Sequence, residues 1–317
     1  MSAPAPCPPR RRVSLLPLYA LGGSLTTVAQ RYLSFHFDQY TQNFYRFLAG
    51  GACLLLLVVL LRPVELRRLW RDPQGRRGLL LLTVGGLFAQ ALYVEGLTRT
   101  SAVLAALIGV LGVPLAAAVS ALFYADERQT LRGPHFVAGA ALALSGAVGL
   151  AFTHDGGKLT SGGGLYYLLG AALLGTGLTL LAKRLVVAFH PVCVVASTTM
   201  LTVPLFLLGG LLWGRLGAVG EASPVTIAVL LLSGVWGMVM GGAVFFLSMR
   251  EFGVIVTRFM ELSMPVFTGV LGYLLFRESL TGPQMVFAGA LLVGCALVVV
   301  SRRQPESAAH CVHRIAR

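Results

Sequence analysis

Ionisable side chains are scarce in this sequence, and the most suggestive pair lies within a long apolar segment. Arg258 and Glu261 are three residues apart, so on a helix they share one face. Pro265 has no N–H, which leaves the carbonyl of residue 261 without its usual helical partner. A guanidinium, a carboxylate and a free carbonyl grouped in this way can bind a polar solute or carry a proton. The alternative is a structural ion pair that only neutralises itself.

Other chemically capable residues interrupt other apolar segments. Arg46 lies near the start of one segment and Glu95 near the end of another. These opposite charges can pair across a vestibule, or Arg46 can extend its charge to an aqueous boundary. Pro114 frees the carbonyl of residue 110, as Pro265 does for residue 261, but no charges accompany it. Further candidates for lining a cavity are Gln30, Gln90, Tyr93 and Trp236, although a packing or interfacial role is the favoured interpretation of each.

Metal and nucleotide chemistry lack their usual signatures in this sequence. There is no HExxH, no CxxC and no GxxxxGK[ST] motif. The aspartates fall in separate stretches, so no acidic cluster for metal or base chemistry is predicted. We therefore expect no catalytic residues, no metal site and no cofactor.

Composition indicates the solvent in which these residues act. Of 317 residues, 56% are hydrophobic and 12% are charged, against roughly 25% charged in an ordinary soluble domain. Lipid must therefore surround most of the chain. The net charge of +13 does not predict binding to nucleic acid, because the basic residues sit in short runs between apolar segments, where they orient membrane helices.

Ten segments are long and apolar enough to span a bilayer, which takes about 20 helical residues. The proline-rich tail 1–12 is expected to be disordered, and 302–317 is expected to be a polar C-terminal tail. With both tails in the cytoplasm, 18 basic residues fall on the inner side and four on the outer side. The predicted spans are 13–35, 41–62, 77–98, 101–124, 131–152, 162–183, 190–213, 224–249, 253–276 and 282–301.

The two halves of the chain resemble each other. LGGSLTTVAQR at 21–31 matches LGTGLTLLAKR at 174–184 in six of eleven positions. Pro114 precedes Glu127 by 13 residues, and Pro265 precedes Glu278 by the same distance. An odd number of helices in each repeat inserts the second copy upside down. Inverted repeats of this kind are typical of secondary transporters, which bind substrate between the halves.

These residues resemble the drug/metabolite transporter superfamily in its EamA-type branch, over nearly the whole chain. There are departures: Gly289 and Gly294 are not seven apart, and Thr199 aligns with Arg46. The resemblance implies ten helices around a central cavity that handles small organic metabolites or drugs, often for export. The residues that carry it are Arg31, Arg46, Lys183, Arg184, the two proline-to-glutamate segments, and the glycines Gly139 and Gly146.

Together these observations predict an all-α membrane protein with ten transmembrane helices, built as two inverted five-helix repeats over 13–152 and 162–301. We expect a multi-pass protein of the bacterial inner membrane, with the lipid bilayer and a small-molecule substrate as its partners. A coupling proton and assembly as a homodimer are left open. The alternatives are a membrane-embedded enzyme of lipid-phosphate metabolism and a membrane scaffold that transports nothing.

Overall fold

The computed structural model describes residues 15–112, 114–115, 134–154, 163–250, 261, 264–277 and 280–297. Regular structure within these residues is helical throughout. A 3₁₀ segment, Leu216–Glu221, joins two of the helices. The helices are α1 (Leu15–Ser34), α2 (Gln39–Leu61), α3 (Pro63–Arg71), α4 (Pro73–Thr98), α5 (Ala102–Val110), α6 (Pro134–His154), α7 (Gly164–Ala188), α8 (Pro191–Trp213), α9 (Pro224–Arg250), α10 (Met264–Phe276) and α11 (Gly282–Leu297).

Local sequence signals fix where many of these helices begin. Asp38 accepts hydrogen bonds from the backbone N–H groups of residues 40 and 41, and Asp72 accepts one from residue 75. Ser101 and Ser223 cap α5 and α9 in the same way. Proline tolerates the first turn because that turn needs no N–H donor, and α3, α4, α8 and α9 all begin with proline.

In the part of the chain that the structure describes, five helices are long and apolar enough to cross a membrane: α2, α4, α7, α8 and α9. Shorter apolar helices cover 134–149, 264–276 and 282–297 within the described residues. Several predicted spans, including 101–124 and 253–276, extend into residues outside the described part of the chain. The count of ten spans and their inversion therefore stay predictions, while the all-helical architecture agrees with the sequence.

The basic stretch between the predicted spans 41–62 and 77–98 contains a helix. Residues 63–71 form α3, with Pro63 at its start, Glu65 in its first turn, and Arg68 and Arg71 in its last turn. These charges complement the helix dipole, which favours acids at the N-terminus and bases at the C-terminus. Trp70 attaches this helix to α8, because its indole N–H donates to the Ser197 hydroxyl at 3.0 Å.

The most extensive helix contacts join the first half of the chain to the second. Helix α2 packs on α8 and α9, α4 packs on α7 and α8, and α1 packs on α9 and α10. Helix α5 packs on α10 and α7. These pairs are symmetric between the halves. If α1 is exchanged with α7, α2 with α8, α4 with α9 and α5 with α10, the same set of helix pairs is obtained. The two halves are therefore interleaved, and the space between them lies at the centre of the molecule.

Glycines allow close backbone approaches at two helix pairs of the described structure. A Cβ built on Gly234 of α9 would lie 2.4 Å from the carbonyl oxygen of Arg46 on α2. Helices α6 and α11 approach reciprocally: a Cβ on Gly146 would lie 2.6 Å from the backbone nitrogen of Leu291, and one on Gly294 would lie 2.4 Å from that of Ala143. Small residues that bring backbones together are how helices associate in lipid. Gly294 of α11 thus permits the same kind of close backbone contact as Gly146 of α6, although Gly289 and Gly294 are not seven residues apart.

Candidate functional site

A cavity of about 510 Å³ lies between the two halves. Helices α1, α2, α4 and α5 line it from the first half, and α7, α8 and α9 line it from the second. Its wall mixes aromatic rings, threonine hydroxyls, glycines and two charged side chains, Arg46 and Glu261. Its size and mixed lining fit a small-molecule site. Of the predicted site residues described, the lining includes Arg46, Gln90, Tyr93 and Glu261.

Arg46 is 1% exposed and lies about 10 Å from the N-terminal end of α2. Its Nε donates to the Ser233 hydroxyl at 3.2 Å, and its Nη2 donates to the Ser233 carbonyl at 3.5 Å. Its Nη1 is buried and has no hydrogen-bond partner. No carboxylate among the described residues forms an ion pair with it. The guanidinium is therefore fixed on α9 and retains unused donors.

The packing of α9 makes room for this guanidinium. A Cβ on Gly237 would lie 3.2 Å from Nη2 of Arg46. Gly234, one turn earlier, lets the two backbones meet at the same residue. The two glycines thus place Arg46 against α9 while leaving one side of its side chain toward the cavity.

A polar layer surrounds Arg46 on the first-half side. The Gln90 amide donates to Asn43 at 3.2 Å and connects α4 to α2. The Tyr93 and Thr27 hydroxyls lie 3.1 Å apart and connect α4 to α1. Gln30, another of the candidate lining residues, is also in the cavity wall. These contacts explain why polar residues occur at these positions of apolar helices.

Glu261 reaches the same cavity from the second half. Its Oε1 accepts a hydrogen bond from the Tyr19 hydroxyl at 3.2 Å. Arg258, its expected partner, lies outside the described residues. Pro265 is buried in the first turn of α10, and the neighbouring carbonyl of Met264 accepts from the Ser24 hydroxyl at 3.0 Å. Helix α1 therefore holds both the carboxylate and the start of α10.

Two of the candidates lie elsewhere. Glu95 forms an ion pair with Arg99 one turn away and not with Arg46, so of the two possibilities for these charges the pairing does not form. It lines a second pocket of about 750 Å³, beside the end of α1 and the start of α2. Trp236 is 36% exposed, donates to the Gly22 carbonyl at 3.1 Å and does not line the central cavity. The sequence identifies both residues as candidates, but it does not determine the direction in which their side chains point.

Pro114 produces the expected free carbonyl. Helix α5 ends at Val110, four residues before the proline. The Val110 carbonyl accepts instead from the buried thiol of Cys295, with sulfur 3.8 Å away. Cys295 thus satisfies this carbonyl across the halves.

Two features of the cavity were missed by sequence reasoning. Residues 238–244 of α9 form a π-helical segment, and Met238, Gly241 and Gly242 from it line the cavity. Such segments often occur at functional sites because they break the regular hydrogen-bond ladder. Hydroxyls also line the second-half wall. The sequence GMVMGGAV contains the π-helical segment. The hydroxyls of the second-half wall belong to Thr176, Thr179, Thr198, Thr199 and Thr202.

One group of side chains outside the cavity has metal-ligand chemistry. Ligand atoms of Glu65, His190 and Cys193 lie within 4.8 Å of one another, a juxtaposition that their separation in sequence concealed. Desolvation lowers the pKa of His190, Glu65 opposes this, and Arg62 and Arg250 add to the lowering. Burial and the two arginines thus favour the neutral imidazole. The arginines lining the adjoining pocket repel a dication, so we do not assign a metal to this group.

Comparison with known proteins gives the family. The EamA-like transporter family matches twice, at residues 13–152 and 162–300. An uncharacterized transporter of Haemophilus influenzae is 26% identical over 291 residues, covering 89% of this chain and 94% of the relative. A solved crystal structure with 17% identity has a TM-score of 0.65 over 93% of this chain and 100% of that one, which shows the shared fold. The chain belongs to the EamA-like transporter family and is a multi-pass membrane transporter.

Proposed function

We propose that the protein is a secondary transporter that moves small organic metabolites or drugs through its central cavity by alternating access. The observation that carries the proposal is the cavity itself, which is lined from both halves and contains a buried guanidinium with an unused donor. A membrane-embedded charge is costly and is usually retained for function. The residues proposed to form the pathway are Arg46, Gln90, Tyr93, Arg258 and Glu261, with Pro114 and Pro265 interrupting its helices.

The helix pairing supports alternation between two equivalent halves. When equivalent helices of the two halves are exchanged, the same helix pairs are obtained, as two repeats related by a two-fold axis would produce. We infer repeats over 13–152 and 162–301, inverted in the membrane. Such repeats rock against each other and expose a central site to one side at a time. Export is the direction that the family resemblance favours.

Transport through the cavity can be tested with two glycines of α7. Gly175 lines the cavity and Gly177 faces away from it, and a Cβ at either position meets nothing within 4 Å. In proteoliposomes assayed for uptake and efflux of a metabolite panel, we expect Gly175→Trp to abolish the movement of any transported compound. Gly177→Trp is the matched control and should transport normally.

Two results would contradict the proposal. One is that no compound of the panel moves faster than in empty liposomes. The other is that Gly175→Trp and Gly177→Trp transport equally well, because the pathway would then lie outside this cavity.

A further inference from the structure

Arg46 has hydrogen-bonding capacity that the protein does not use. A guanidinium carries five N–H donors. Ser233 accepts from Nε and Nη2, and the two donors of Nη1 have no partner among the described residues. The residue is 1% exposed, so bulk water does not provide the missing acceptors. A buried donor without an acceptor is rare in native proteins, and one that lines a cavity points to a ligand that supplies the acceptor.

The charge on Arg46 needs compensation as well. An unpaired charge in a low-dielectric interior is strongly unfavourable unless an opposite charge lies close to it. Among the described residues, the ion pairs that form are Arg62 with Glu65 and Arg99 with Glu95, and neither involves the cavity arginine. A soluble anion that enters the cavity would provide both the negative charge and the acceptor atoms.

The rest of the cavity wall restricts the anion further. Phe47, Phe245 and Phe246 supply aromatic surface, and the threonines supply neutral hydroxyls. Glu261 is the carboxylate of the described wall, and it accepts from Tyr19. A second negative charge on the ligand would meet no second cation among the described wall residues, whereas an apolar body would pack on the rings. One anionic group attached to an apolar body matches these features.

We propose that Arg46 binds the anionic group of the substrate and that the substrates are small organic monoanions with an apolar body, such as monocarboxylates. The inference rests on the proposed transport function, whose substrate class it names. Nη1 and Nη2 of a guanidinium can face both oxygens of a carboxylate in parallel. Ser233 holds the guanidinium in place from the opposite side and acts as a positioning residue.

The test uses four probes that share a benzene ring and differ in charge: benzoate, benzamide, benzylammonium and phthalate. Binding to the purified full-length protein in nanodiscs is measured by calorimetry. We expect benzoate to bind about tenfold or more tightly than benzamide, because a charged acceptor strengthens the hydrogen bonds to the guanidinium. Benzylammonium and the dianion phthalate should bind more weakly than benzoate.

Variants then assign this preference to Arg46. Arg46→Gln should remove the preference for benzoate over benzamide, and Arg46→Lys, which keeps the charge but loses the fork, should retain part of it. Arg99→Gln is the matched control, because it removes an exposed arginine outside the cavity and should bind benzoate as the wild type does. Thermal unfolding of each variant verifies that it is folded.

The inference is overturned if the wild type binds none of the probes, if benzamide or benzylammonium binds as tightly as benzoate, or if folded Arg46→Gln keeps the preference. If Arg46→Gln does not fold, the charge preference of the wild type and the Arg46→Lys variant decide the question. Movement of neutral solutes with no preference for anions would overturn this inference alone and leave the transport function standing. Benzoate binding without movement of any solute would overturn the transport function instead.

Discussion

At the scale of single residues, the cavity holds its two charges by different means. Arg46 is held by a hydroxyl and a carbonyl of the facing helix and keeps unused donors. Glu261 is held by the Tyr19 hydroxyl. A carboxylate can exchange a proton in a transport cycle, whereas a guanidinium stays charged at any physiological pH. The two residues are therefore suited to different tasks, with Glu261 the candidate for the coupling proton.

Glu261→Gln tests the coupling proton. The amide keeps the size and an acceptor for Tyr19 but cannot release a proton, so uptake driven by a pH gradient should fall to the level of empty liposomes. Exchange of labelled for unlabelled substrate without a gradient should persist. Glu65→Gln is the control, because Glu65 is an acid outside the cavity that pairs with Arg62.

Gradient-driven uptake by Glu261→Gln at the wild-type rate would show that Glu261 carries no coupling proton. Its role would then be structural, and the double replacement Arg258→Met with Glu261→Met should retain transport as well.

At the scale of helices, close backbone contacts place the cavity residues. The approach of α2 to α9 at Gly234 brings Arg46 within reach of Ser233. The crossing of α6 and α11 uses Gly146 and Gly294 in the same manner, away from the cavity. Because burial of apolar surface does not drive helices together in lipid, such contacts carry much of the association energy.

Gly234→Ala tests this dependence. The added methyl would lie 2.4 Å from the Arg46 carbonyl oxygen, which belongs to the backbone and cannot rotate away. We expect α2 and α9 to separate, with the unfolding free energy lowered by about 1–3 kcal/mol, as for overpacked cores. The measurement is the thermal unfolding midpoint in detergent.

Gly241→Ala on the same helix is the control. A Cβ at Gly241 meets nothing within 4 Å, so the midpoint should stay close to that of the wild type. Equal midpoints for Gly234→Ala and the wild type would show that the approach of α2 to α9 is not required for stability.

At the scale of the whole molecule, charge outside the helices should set the orientation in the membrane. Residues 62–77, which link α2 to the first turns of α4, include six basic residues, and the adjacent pocket is lined by Arg62, Arg68 and Arg250. The pocket beside Glu95 on the other side also contains Asp38 and Glu221. The positive-inside rule places the basic side of a membrane protein in the cytoplasm, so this asymmetry predicts the orientation.

Reporter fusions test this orientation. Green fluorescent protein fused to either terminus should fluoresce, because both tails are predicted to be cytoplasmic. Alkaline phosphatase fused after residue 100, between α4 and α5, should be active because that connection is predicted to face outward. The matched fusion after residue 72, before α4, should be inactive. Phosphatase activity at either terminus would contradict the count of ten spans and the inversion of the repeats.

The sequence by itself determined the family, the all-helical class and the residues able to do chemistry. These follow from local properties: hydropathy over about 20 residues, caps such as Asp38, and polar residues such as Arg46 within apolar runs. Lipid makes such signals strong, because every backbone polar group in a span must be satisfied within the protein and each charge there needs a reason.

Only the tertiary structure decided which candidates meet. Opposite charge allowed Glu95 to pair with Arg46, but Glu95 is neutralised by Arg99, while Ser233 holds Arg46. The Cys295 thiol satisfies the carbonyl that Pro114 frees, although 185 residues separate Cys295 from Val110. Such partners are set by the rotation of each helix about its axis and by where glycines let backbones touch. A nearly uniform apolar sequence encodes these properties weakly, because many packings bury similar surfaces.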